Sequence, residues 1–220
     1  MGQKLEKELN KASGLYNSIE REVDAEIEKQ KVHCRPGNID DLASETHFTR
    51  RELQLLYRSF KENCPNGIVT LEKFQEIYSL IFFFGRPHSY AALVFNTIDS
   101  DRSGSMSFEE FVKALSTLWR GSTAEKLEWV FDLYDSKNKG YITKQDIHRV
   151  LRAVYEMMGE STQPPITPTI IGKHAQEIFE AMDTKEDGKV TLETFLDLCT
   201  NNPSICESLE LFNTIWISTD

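Results

Sequence analysis

The sequence predicts an all-α chain made of four helix–loop–helix repeats in two pairs, and three observations predict it. Amphipathic runs of helical period flank four short polar loops. Each loop carries one glycine, at Gly67, Gly104, Gly140 and Gly188. An aliphatic residue follows each glycine by two positions, at Val69, Met106, Ile142 and Val190. A glycine fixed at one place in every loop implies a backbone that needs positive φ.

The elements follow in chain order. Residues 1–31 form a separate segment with a stripe at Leu5, Leu9, Ala12, Tyr16, Ile19, Val23 and Ile27, whose steps of three and four residues suit an amphipathic helix. Gly14 weakens it, and a helix of that length needs packing to persist. Folding on a partner, pairing with another copy and remaining disordered are three open alternatives. Residues 32–121 hold the first pair of repeats and residues 122–203 the second. Within them Leu93-Val94-Phe95-Ile98 and Phe108-Phe111-Val112-Leu115 bury one helical stripe each, as do Leu127-Val130-Phe131-Tyr134 and Ile147-Val150-Leu151-Val154. Ile178-Phe179-Met182 and Leu192-Phe195-Leu196 repeat the pattern. Pro164, Pro165 and Pro168 break the helix before the last repeat. Short β-contacts are expected at the aliphatic positions, Val69 with Met106 and Ile142 with Val190. Residues 204–220 carry Ile205, Leu209, Phe212, Ile215 and Trp216 at the spacing of one more amphipathic helix.

Composition narrows the function. The 220 residues carry a net charge of −10, and no clustered basic stripe suits nucleic acid. Apolar runs such as Leu80 to Phe84 are far too short to span a bilayer. Cys34, Cys64, Cys199 and Cys206 form no CxxC pair, and the five histidines show no HxH or HxxxH spacing, so zinc is not expected. Reduced thiols and a cytoplasmic location are the expectation. No nucleophile–base pair, phosphate loop or catalytic metal motif stands out, so the chain is not expected to be an enzyme.

If each loop starts five residues before its glycine, the four starts are 62, 99, 135 and 183. Loops of this form are EF-hands, in which positions 1, 3, 5, 7 and 12 of twelve give oxygens to calcium. The second loop fits throughout. Asp99, Asp101 and Ser103 fill positions 1, 3 and 5, Ser105 offers its carbonyl, Glu110 closes with two oxygens, and Ser107 could hold a bridging water. The third loop places Lys137 and Lys139 at positions 3 and 5 and the short Asp146 at position 12, so it is expected to serve structure alone. The fourth keeps Asp183 and Asp187, but Lys185 and Thr194 replace two ligands and Glu193 falls one residue early. Tight calcium binding is not expected there. The first, with Cys64, Pro65 and Lys73, cannot make a site. The expectation is therefore about one calcium, with magnesium as an alternative ion.

Four EF-hands with Cys64-Pro65 in a dead first loop resemble the neuronal calcium sensor family, and within it the voltage-gated potassium channel-interacting branch. The strings that carry the resemblance are His33-Cys34-Arg35-Pro36, Phe48 to Lys61, Leu118-Trp119-Arg120-Gly121, Glu125-Lys126-Leu127, Ala153 to Gly159 and Ser208 to Asn213. It covers roughly residues 32 to 216. The resemblance implies a regulatory subunit that binds the cytoplasmic N-terminus of an A-type potassium channel, modulates gating and surface expression, and meets the plasma membrane only through the channel. This sequence departs from that branch in its loops, because the third and fourth are the usual high-affinity sites there and are spoiled here.

Sensor EF-hand pairs take a target helix into an apolar groove. The candidates here are Leu56, Phe60, Phe74, Ile77, Tyr78, Ile81 and Phe82, with Phe95, Phe111, Leu115 and Trp119; burial in the core is the competing assignment for each. The resemblance implies that the last helix lies in this groove and moves when the target arrives, with a permanently docked lid as the alternative. Deleting residues 205–220 would then raise target affinity. Met1-Gly2 opens like a myristoylation signal, but Glu6 stands where Ser or Thr belongs. The competing function is calcium-dependent regulation of a soluble signalling enzyme; a DNA-binding role, which one relative has, is disfavoured by the charge.

Overall fold

The computed structural model describes residues 39–83, 85–159 and 167–201. The 1–31 stripe, Met1-Gly2, the His33–Pro36 string, Phe84, Pro164 and Pro165, and the 204–220 segment lie outside the described residues. The described elements are α1 (Ile39–Glu45), α2 (Arg50–Asn63), β1 (Ile68–Thr70), α3 (Leu71–Ile81), α4 (His88–Ile98), β2 (Ser105–Ser107) and α5 (Phe108–Arg120). The second half contributes α6 (Thr123–Tyr134), β3 (Tyr141–Ile142), α7 (Lys144–Met158), α8 (Pro168–Met182), β4 (Val190–Thr191) and α9 (Leu192–Asn201).

Every loop hands over to its second helix in a similar way. Position 9 is Thr70, Ser107, Thr143 or Thr191, and in each case its side-chain oxygen accepts the backbone N–H of position 12, three residues on. This satisfies one of the N–H groups that a helix start leaves without an intrahelical acceptor. In the second and third loops the position-12 carboxylate bonds back to the cap, completing a capping box. Ser107 is thus the cap of α5.

The loops pair as expected. β1 runs antiparallel to β2 with Val69 opposite Met106, and β3 runs antiparallel to β4 with Ile142 opposite Val190. Met106, Ile142 and Val190 are fully buried and Val69 nearly so. A single core cluster then runs through both pairs, from Leu53 and Phe60 through Tyr90 and Phe95 to Phe131, Leu151 and Phe195. The junction is α4, which packs on α6 and α7 of the second pair as well as on α3 of its own.

The link between α3 and α4 is pinned to the end of α7. Arg86 N–H donates to the carbonyl of Glu156 at 2.7 Å, and Ser89 Oγ donates to the Glu156 carboxylate at 2.8 Å. Gly85 permits the approach, because a Cβ there would lie 1.8 Å from the Met157 carbonyl oxygen. Within the first pair Arg120 grips Glu52 through two hydrogen bonds of 2.6 and 3.1 Å and stacks 4.7 Å over the Phe48 ring. Neither Cys64 nor Cys199 takes part in a disulfide among the described residues. No helix among the described residues is long and apolar enough to cross a membrane.

Candidate metal centre

The second loop is held open at a turn by two left-handed residues, Arg102 (φ 57°) and Gly104 (φ 78°). Glycine adopts that backbone without cost, and the turn aims successive side chains back at one point. Gly104 N–H donates to Asp99 Oδ2 at 2.9 Å, which leaves Asp99 Oδ1 turned to the loop interior, where it accepts from Ser103 N–H (3.0 Å) and Ser103 Oγ (3.2 Å). Asp101 Oδ1 accepts from the same Ser103 N–H at 2.9 Å, and Ser103 Oγ donates to the Ser105 carbonyl at 2.7 Å. Glu110 closes the ring: Oε1 accepts from Ser100 N–H at 2.9 Å and Oε2 from Ser107 N–H at 2.9 Å.

Asp99, Asp101 and Glu110 each bring a carboxylate oxygen within 4.8 Å of the other two, the one group of three potential ligand side chains found this close among the described residues. With Ser103 Oγ and the Ser105 carbonyl beside them, the donors are all hard oxygens. That set suits calcium or magnesium and offers nothing to a metal that prefers sulfur or imidazole. The electrostatics agree. Burial pushes the Asp99 carboxyl up and a side-chain hydrogen bond with Asp101 adds to this, while hydrogen bonds from Gly104 and Ser103 pull the other way. Asp101 is held below its ordinary value, first by the Ser103 N–H. Three acidic groups crowded together repel one another, and a bound dication converts that repulsion into attraction.

The other loops differ in ways that the side chains explain. In the fourth, Asp183 is oriented like Asp99, with Gly188 N–H on Oδ2 at 2.9 Å. Thr194, however, turns to Thr191 at 3.1 Å, and Glu193 is exposed, so no third carboxylate joins Asp183 and Asp187. In the first, Lys73 Nζ pairs with Glu76 at 3.0 Å and Lys61 Nζ donates to the Pro65 carbonyl at 2.6 Å. In the third, Lys139 Nζ lies 2.5 Å from Asp146 Oδ2.

A cleft of about 590 Å³ adjoins the second loop, lined by Asp101, Ser103, Glu110, Lys113, Thr117 and Trp129 among others. Trp129 was not anticipated. It belongs to α6, off the Leu127-Val130-Phe131-Tyr134 stripe, and nothing in the local pattern says that it reaches a loop of the other pair.

The candidate groove residues separate into three sets. Phe60, Phe74, Tyr78 and Phe95 are buried: Phe74 stacks on Tyr78 at 4.9 Å and on Phe95 at 5.7 Å, so these rings are core here and not open groove. Leu56, Phe82, Phe111 and Leu115 are half-buried against that core. Ile77, Ile81 and Trp119 are exposed, and the structure adds Leu55, Leu80 and Phe83 to them.

The comparison with known families agrees with this geometry. Residues 65–118 match an EF-hand domain pair, and residues 124–200 match a second family described in the same words. The chain is therefore an all-helical EF-hand protein made of two EF-hand pairs joined within each pair by a small two-stranded sheet. Such pairs imply calcium binding.

Proposed function

We propose that this EF-hand protein is a non-enzymatic regulatory subunit that binds one calcium ion in its second loop and takes an amphipathic helix from the cytoplasmic N-terminus of an A-type potassium channel, altering gating and surface expression. On this reading it works in the cytoplasm and reaches the plasma membrane through the channel. The observation that carries the reading is the exposed apolar surface of the first pair. Along α3 and just past it, Ile77, Leu80, Ile81 and Phe83 are 41, 80, 52 and 69% exposed. Large apolar side chains crowded this way on an acidic protein are the sort of surface that partners cover. Leu55 on α2 and Trp119 on α5 add to it. A helix laid in such a surface buries its own apolar stripe, which is how sensor EF-hand pairs recognise targets. The strings that resemble the channel-interacting branch point to the same partner.

The test is titration of a channel N-terminal peptide into the full chain, with calcium and with chelator, beside the variant Leu80→Ser/Ile81→Ser. Both side chains are exposed, so the variant should melt as wild type does. Its peptide affinity should fall by about tenfold or more, the equivalent of ~1.4 kcal/mol. Wild-type affinity in the variant, or no binding by the wild type, would refute the proposal; capture of a soluble enzyme's helix in preference to the channel peptide would favour the competing function.

A further inference from the structure

The third loop has the backbone of a working site. Gly140 N–H donates to Asp135 Oδ2 at 2.7 Å, the counterpart of the Gly104–Asp99 bond, and Thr143 caps α7 through Asp146 as Ser107 caps α5 through Glu110. Asp135 and Asp146 are buried, 3 and 4% exposed. A buried carboxylate needs a counter-charge, and in a metal-binding loop the ion supplies it.

Here the two loop lysines behave differently. Lys137, at position 3, is exposed. Lys139, at position 5, folds inward until its ammonium meets Asp146 Oδ2 at 2.5 Å and lies 4.8 Å from the centre of the Tyr141 ring. Arg149 takes the other oxygen of Asp146 at 3.2 Å and also donates to the Tyr134 carbonyl at 2.7 Å. Burial pushes the Asp146 carboxyl up, but hydrogen bonds from Lys139 and Thr143 outweigh it and hold the group below its usual range. The two replacements fit one another. Position 12 is one methylene shorter than the Glu of the second loop, and position 5 is longer, so an ammonium on a flexible stem spans the gap. From Tyr141 the arrangement continues into the fourth loop, because Lys189 Nζ lies 4.9 Å from the same ring.

We infer that the third loop is a self-filled cation site, in which the Lys139 ammonium ties position 5 to position 12 as a bound ion would. The second EF-hand pair therefore keeps its β3–β4 pairing at any calcium concentration. Lys139 is a positioning residue: it acts on Ile142 and Val190 through Asp146 and the start of α7.

Amide hydrogen exchange at Ile142 and Val190 tests this in the full chain, with Glu110→Gln as background so that the second loop does not contribute. In that background both amides should be equally protected in chelator and in excess calcium. Lys139→Gln should accelerate their exchange by about tenfold or more, whereas Lys137→Gln, the same charge change on the exposed neighbour, should not. If Lys139→Gln fails to fold, Lys139→Gln/Asp146→Asn decides, since removing both partners of a buried pair costs less than removing one. Recovery of folding in the double variant supports the inference. Equal effects at Lys137 and Lys139, protection that rises with calcium in the Glu110→Gln background, or a double variant no better than the single one would each overturn it.

Discussion

Glu110→Gln removes one charge from the second loop while preserving the shape of the side chain. A carboxylate oxygen about 2.4 Å from a dication is attracted by ~3.5 kcal/mol even at the dielectric of water. The charge also repels Asp99 and Asp101, whose oxygens lie within 4.8 Å, by ~0.9 kcal/mol or more for each pair at the same dielectric. Neutralising Glu110 relieves that repulsion, so the net loss is ~2 kcal/mol, or about 30-fold in calcium affinity. The amide also sets an NH2 group against the Ser100 or Ser107 N–H, because both carboxylate oxygens now accept. Calcium titration by calorimetry should therefore give one tight site in the wild type and a site weakened ten- to a hundredfold in the variant (~1.4 to ~2.7 kcal/mol). Glu109→Gln is the control, since it removes the same charge from the adjacent position 11, which is not a ligand position. Equal weakening by both variants would show that general acidity, not ligation, sets the affinity. Two or more tight sites in the wild type would show that the lysines and Thr194 do not disable their loops.

Three further outcomes follow from other contacts. Gly85→Ala would force the link off the Met157 carbonyl by ~1 Å or more, at a cost of ~1–3 kcal/mol for overpacking and ~1 kcal/mol for the Arg86–Glu156 hydrogen bond; thermal melting should drop by about 4–16 °C, and an unchanged midpoint would refute the close approach. The Glu52 carboxyl is held down to about 2, first by its hydrogen bonds to Arg120 and then by Thr49. Because the folded value is depressed, this stabilisation is present above pH about 4.5 and is lost as pH falls toward about 2; denaturant midpoints of wild type and Glu52→Gln should converge over that window, and parallel profiles would count against it. Trp129 fluorescence should change on adding calcium, since its ring lines the cleft beside the second loop, and should not change in Glu110→Gln at the same calcium concentration; Trp119→Phe/Trp216→Phe leaves Trp129 as the one tryptophan of the chain, so that the signal can be assigned.

The helices, their order and the paired loops were legible because two short-range rules cover them. Apolar spacing of three and four residues marks each buried stripe, and one glycine per loop marks each turn. The acidic cluster of the second loop was legible for the same reason, since Asp99, Asp101 and Glu110 fall within twelve consecutive residues. What sequence could not resolve depends on distant neighbours. Phe74 and Ile77 lie three residues apart on α3, yet one packs under Tyr78 and Phe95 while the other is exposed, and only the path of α4 decides between them. Lys137 and Lys139 looked equally damaging to the third loop. They part company because position 5 lies between the left-handed residues Asn138 and Gly140 and its ammonium reaches Asp146, whose shorter side chain leaves room for it. The Asp146–Arg149 pair, three residues apart on one helix, is the exception that spacing could have revealed.

These contacts place the two metal-type loops at opposite ends of one mechanical connection. Helix α4 runs straight into Asp99, the first residue of the second loop. Its start is tied through Arg86 and Ser89 to Glu156 near the end of α7, and α7 begins at the third loop, where Lys139 and Arg149 hold Asp146. A cation that cannot dissociate thus fixes the helix on which α4 packs. An ion entering the second loop must draw Glu110 toward Asp99 and Asp101, and Asp99 sits at the end of the anchored helix. The freedom to move lies with α5, which begins two residues before Glu110 and carries the exposed Trp119 in its last turn. Calcium binding at the second loop would in this way act on the edge of the apolar surface while leaving the second pair as a fixed frame, which is what an exchangeable site beside a permanently filled one allows.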